Sequence, residues 1–97
     1  MMQHEFGHIL QFRKIGSYAY WKVIAPESLA SATFGTYESH HHFWTETWAN
    51  YLSREYFGKA WIGGASYPVM NVSKFNWLRI RIAQMQGIAR SKPRGFI

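Results

Sequence analysis

Cysteine is absent from this 97-residue chain, which excludes disulfide stapling and thiolate metal sites together. Any metal must then be held by histidine, glutamate, backbone or water. No apolar run of about eighteen residues is present, so no membrane-spanning helix is expected, and no basic segment followed by an apolar one opens the chain as a signal peptide would. Acid is scarce. All five acids are glutamates, Glu5, Glu27, Glu38, Glu46 and Glu55, and they lie within residues 1–55 against four bases, for a net −1. Residues 56–97 hold no acid and seven bases: Lys59, Lys74, Arg79, Arg81, Arg90, Lys92 and Arg94. The two parts are electrostatically different objects.

Apolar and aromatic residues are plentiful. Five Trp, six Tyr and seven Phe, in a chain that is 47% hydrophobic, exceed what a disordered tail carries, so the class is globular, and the length suits one domain. Residues 1–15, MMQHEFGHILQFRKI, place apolar residues at 6, 9, 10, 12 and 15 before Gly16, with Arg13 and Lys14 in the last turn, and predict a helix buried on more than one side. Pro26 and Glu27 suit the first turn of a short helix, PESLASA, and residues 33–42 read as a loop with three consecutive histidines. FWTETWANYLSREYF, 43–57, predicts a second strong helix closed by Gly58. Further on, Leu78, Ile80 and Ile82 alternate like a strand, yet Phe75, Leu78, Ile82, Met85 and Ala89 fall at helical spacing; the length of the segment favours helix, with SKPRGFI as a frayed end. Residues 1–58 are thus read as the core and 59–97 as a basic C-terminal extension, a packed helix with a frayed end.

The chemistry concentrates in the first helix. Positions four apart share a helix face, so His4 and His8 present two imidazoles to one point. Glu5, about 100° round from His4, can reach a metal-bound water without ligating the metal, which is where a general base stands. A catalytic zinc needs a third protein ligand and an open fourth position. Glu46 on the second helix offers the ligand, and Asn50, one turn on, offers an amide oxygen to orient a histidine, with small Ala49 beside them to let another helix approach. The rival third ligand is the His40–His42 run, His42 lying one turn before Glu46, which would make an all-histidine set; a run of this kind is otherwise a solvated turn.

H-E-F-G-H followed by E-T-W-A-N on a later helix resembles the gluzincin zinc metallopeptidases, and residues 3–58 are similar to small bacterial domains with an H-E-[FY]-G-H motif. The resemblance implies His4, His8 and Glu46 as zinc ligands, Glu5 as base and proton shuttle, and Asn50 as the supporting residue. It implies Zn2+ as cofactor and a peptide or protein substrate, with Glu5 activating the zinc-bound water for attack on the peptide carbonyl. The oxyanion also needs a donor. Tyr37, His40, His41 and His42 precede the second helix, and of these Tyr37 and His42 are the candidates. Two departures stand out: the motif begins at residue 4, where such peptidases normally carry a strand-rich subdomain first, so a chain without the substrate-holding shelf is one expectation, and the supporting residue is Asn rather than Asp.

The expected fold is mainly α: a compact zincin-like helical domain, its first helix and the 43–57 helix clamping one zinc, or a fragment of such a domain lacking the upstream sheet. The location is left open between the cytoplasm and a larger secreted bacterial protein. Two alternatives are carried: a truncated non-catalytic zinc-binding domain, and a basic module binding nucleic acid or an anionic surface through Arg79, Arg81, Arg90, Lys92 and Arg94. Nucleic acid is not the expected partner, because those charges lie on both faces of any helix drawn through them.

Overall fold

A computed structural model of the chain describes residues 2–64 and 67–95, apart from the side chains of residues 37 and 38. The protein is mainly helical, with no strand among the described residues. Helix α1 spans Gln3–Ile15, and α4 spans Trp44–Phe57. Both end at a glycine with positive φ, Gly16 at 84° and Gly58 at 56°, as the sequence pattern predicts.

Between them the expected short helix is present, with Pro26 and Glu27 in its first turn, but it continues from helical turns before it, and part of the expected loop is helical too. Ser17–Ala19, a π-helical stretch Tyr20–Ile24 and Ala25–Phe34 follow one another as a helical segment, α2. The Ala25 N–H bonds to the Tyr20 carbonyl five residues back, and Pro26, which has no N–H, follows directly; the wide turn absorbs a proline that a tight α-turn would not. Its buried residues, Ala19, Val23 and Ile24, lose the 3.6 period at this point, which is why the segment reads as mixed in sequence. A further short helix, α3 (Tyr37–His41), stands where a loop was expected. Its first turn is locked by reciprocal bonds, Thr36 N–H to Ser39 Oγ at 2.8 Å and Ser39 N–H to Thr36 Oγ1 at 3.0 Å.

Helix α5, Phe75–Arg90, resolves the ambiguity of the C-terminal segment in favour of helix. Leu78 and Met85, two turns apart, are buried, whereas Ile80 is 62% exposed. One hydrophobic cluster joins Ile15, Ala19, Val23, Ile24, Trp44, Trp48 and Met70 to Leu78 and Met85. Trp44 and Trp48 stack within it at 6.1 Å. No described helix is long and apolar enough to cross a membrane.

The contact that positions the site is α1 against α4. The pairs Ser53 with Gln3, Asn50 with His4, Glu46 with His8 and Thr45 with Gln11 run in opposite directions along the two helices, so they pack antiparallel. A Cβ on Gly7 would lie 2.1 Å from the Ala49 carbonyl oxygen: only glycine at 7 lets the helices come this close. The buried residues of α1 are Gly7, Gln11 and Ile15, while Phe12 is 37% exposed. The face that α1 buries thus runs from small Gly7 through polar Gln11 to apolar Ile15, narrower than the broad apolar surface its sequence suggests.

Candidate metal centre

At this close approach the side chains of α1 reach across to Glu46. His4 Nε2 and His8 Nε2 each lie 3.2 Å from Glu46 Oε1, and one ligand atom from each of the three residues falls within 4.8 Å of the others. Glu46 is only 4% exposed, and its second oxygen accepts from Ser28 Oγ at 2.7 Å and Thr45 Oγ1 at 2.9 Å. Oε1 is thereby left to the imidazoles.

The far side of each ring is anchored by an amide. His4 Nδ1 is 2.6 Å from Asn50 Oδ1, and the Asn50 amide nitrogen donates to the Pro68 carbonyl at 2.8 Å. His8 Nδ1 is 2.8 Å from Gln11 Oε1, and the Gln11 amide nitrogen donates to the Thr45 carbonyl at 2.7 Å. Each amide nitrogen is committed to a backbone carbonyl, so its oxygen must face the histidine, and Nδ1 must carry the proton. In the neutral rings Nε2 is then a bare lone pair. Two such lone pairs aimed at a carboxylate oxygen repel unless a cation, a proton or a metal ion, lies among them. This donor set, two fixed imidazole nitrogens and a carboxylate, suits zinc among the divalent ions.

Protonation follows the same geometry. The hydrogen bond to Glu46 raises the His4 pKa above its ordinary value, against burial, with Asn50, the Glu46 charge and Glu5 adding to the rise. Burial would push Glu46 up, but bonds from His4 and His8, the His8 charge and Ser28 hold it well below the usual carboxylate range. Burial, and then the charge of Glu46, raise Tyr20.

Two clefts flank the cluster. One of about 350 Å³ borders His4, with Gln3, Trp61, Ile62 and Tyr67 in its walls, and Tyr67 stands 5.6 Å from the His4 ring, centroid to centroid. The other, about 250 Å³, borders His8 between Ile9, Phe12, Tyr20 and Trp21. Gln3 holds the wall of the first by accepting from the Ile62 N–H at 2.9 Å and donating to the Ala60 carbonyl at 2.7 Å.

The structure thus brings together His4, His8, Glu46 and Asn50. Glu5 is exposed on α1 beside His4, near enough for its charge to act on that ring. His42 does not reach the cluster: it is exposed and lines a separate cleft with Ser39, Phe43, Trp44, Lys74 and Trp77. From the histidine run it is His40 that faces Glu46, Nε2 to Oε1 at 3.4 Å. The side chain of Tyr37 lies outside the described residues. His40 belongs to the run that the sequence offered as a rival third ligand; Gln11, Ser28 and Tyr67 are the neighbours that sequence reasoning did not assign. Gln11 alone carried a signal, a polar residue three positions after a candidate ligand histidine on the same helix face. Comparison with protein-family models, curated proteins and solved structures finds no match.

Proposed function

We propose that the chain is a zinc-dependent, gluzincin-like hydrolase acting on peptide bonds, with His4, His8 and Glu46 holding the ion. The observation that carries this reading is the pair of Nε2 lone pairs fixed toward one buried carboxylate by amides that cannot turn round. Burying that carboxylate and two imidazoles among helices costs several kcal/mol unless a cation compensates them. Zinc, once bound, supplies Lewis acidity, lowering the pKa of a coordinated water and polarising a carbonyl.

The remaining work falls to the chain's own residues. Asn50 and Gln11 hold the two rings in one tautomer and orientation. Ser28 and Thr45 pin Glu46 so that one oxygen is presented. Glu5, exposed and unburdened by the cluster, takes the proton from the attacking water and returns it to the leaving amine. The clefts on the His4 and His8 sides give an extended peptide apolar walls on both sides of the cluster.

The experiment is zinc content by mass spectrometry, alongside peptide hydrolysis, for the parent chain and two variants. The parent is expected to hold stoichiometric zinc. Glu46→Ala is expected to lose most of it, whereas Glu5→Gln keeps zinc and loses turnover by on the order of 100-fold or more. A parent that binds no zinc ends the metal reading, and zinc bound without any turnover ends the hydrolase half alone.

A further inference from the structure

Three imidazoles, not two, are gathered about Glu46 Oε1: His4 and His8 at 3.2 Å and His40 at 3.4 Å. The third comes from a different part of the chain and is built in by its own supports. Its Nδ1 is 3.1 Å from Ser31 Oγ on α2, so it shows the same two-ended arrangement as the others, an oxygen behind the ring and Nε2 toward the carboxylate. Ser31 lies three residues after Ser28, which bonds the other oxygen of Glu46, so one face of α2 supports both the carboxylate and the third ring. The chain then doubles back through Gly35, where a Cβ would meet the Ser31 carbonyl oxygen at 2.6 Å and Ser39 Oγ at 2.7 Å, and the locked turn of α3 delivers His40.

We propose that His40 is a fourth protein ligand to the ion, so that the resting site is a closed set of three histidines and one glutamate. The inference rests on His4, His8 and Glu46 holding a divalent cation, and it is independent of hydrolysis. Four protein ligands are the pattern of a closed zinc site, whereas a catalytic one keeps a position open. Hydrolysis at this centre therefore requires His40 to step aside. It is placed to do so: at 23% its side chain is the most exposed of the three imidazoles, and it rides on a five-residue helix rather than on α1.

His40 differs from the other two in one respect that defines the test. A serine hydroxyl can give or take a hydrogen bond, so Ser31 does not by itself decide which nitrogen of His40 carries the proton. In the competing arrangement Ser31 donates to Nδ1 and Nε2–H donates to Glu46, making His40 a support for the ligand. His40→Gln keeps an N–H donor and removes the imidazole.

X-ray absorption on the zinc-loaded full chain counts imidazoles at the metal. The expected result is three in the parent and two in His40→Gln, with zinc affinity falling by more than the roughly 10–100-fold that losing an outer partner costs. Acetohydroxamate, a chelator that needs an open position, is expected to bind the zinc-loaded variant more tightly than the parent. Two imidazoles in the zinc-loaded parent overturn the proposal without any variant and leave the three-residue site standing. Three imidazoles retained in His40→Gln overturn it as well, by assigning the third ring elsewhere. A parent that takes up no zinc, or a His8→Ala variant that binds it as the parent does, overturns the underlying site itself.

Discussion

Two glutamates are drawn into this molecule, and they are compensated in opposite ways. Glu27 on α2 pairs with the Arg81 guanidinium and accepts from Trp44 Nε1 at 3.2 Å; its side chain is 34% exposed. Glu46 on α4 is buried at 4% and among the described residues meets no arginine or lysine, only imidazoles and hydroxyls. A guanidinium is charged at every physiological pH, so the first pair is self-sufficient. An imidazole is charged only when it takes up a proton, so the second cluster balances itself either with a proton or with an ion from outside. The difference separates a pair that carries its own counter-charge from a cluster whose balance depends on what it takes up.

The contact that creates the second environment is also the easiest to break. Gly7→Ala places a methyl group 2.1 Å from the Ala49 carbonyl oxygen, where two backbones meet and no flexible side chain can yield. Helix propensity taken alone would favour alanine by about 1 kcal/mol. The opposite sign is expected, a loss of about 3 kcal/mol or more at the upper end of overpacking costs, with zinc binding lost because the helices part between His4 and His8. Denaturant unfolding and zinc titration check both. A stabilised variant with unchanged zinc affinity would mean that α1 and α4 do not pack as described.

A smaller effect is expected one layer out. Gln11 is fully buried, and its amide joins His8 Nδ1 to the Thr45 carbonyl. Gln11→Ala leaves the His8 Nδ1–H without its acceptor, and zinc affinity should fall roughly 10–100-fold, as for outer partners of metal-ligating histidines generally. Asn50→Ala, which frees His4 and the Pro68 carbonyl, should fall in the same range. If either substitution leaves affinity unchanged in isothermal titration, that amide does not set the tautomer of its histidine.

How much of this was legible depends on whether local geometry or tertiary approach fixes each feature. Helices α1 and α4 could be read because their apolar spacing is strong and each ends at a glycine. The sharing of one face by His4 and His8, and by Glu46 and Asn50, follows from helical pitch alone, and small Ala49 marked the approach of another helix. The burial of Gln11 was hidden, because on an apolar helix a glutamine reads as solvent-facing until the partner carbonyl is known. The choice of His40 over His42 was hidden too: it depends on α3 folding where a loop was expected and on Ser31 standing behind the ring. The π-helical stretch disguised α2 by shifting its buried positions from one period to another.

The smallest effect belongs to the self-sufficient pair. Arg81 reaches Glu27 from α5 and lies over the Trp44 ring at 5.5 Å, so it fastens the basic C-terminal segment to the core by charge and by stacking. Both partners are about a third exposed, 26% and 34%, and water screens them. Arg81→Met keeps the aliphatic contact with Trp44 and removes the charge. The expected destabilisation is below about 1 kcal/mol, weakening further as salt is added, since exposed ion pairs contribute no more. Zinc affinity should stay unchanged, because neither Arg81 nor Glu27 touches the cluster about Glu46. A fall in zinc affinity in this variant would show that the two glutamates are electrostatically linked through α2, on which Glu27 and Ser28 are neighbours, and the contrast between pair and cluster would have to be redrawn as a single network.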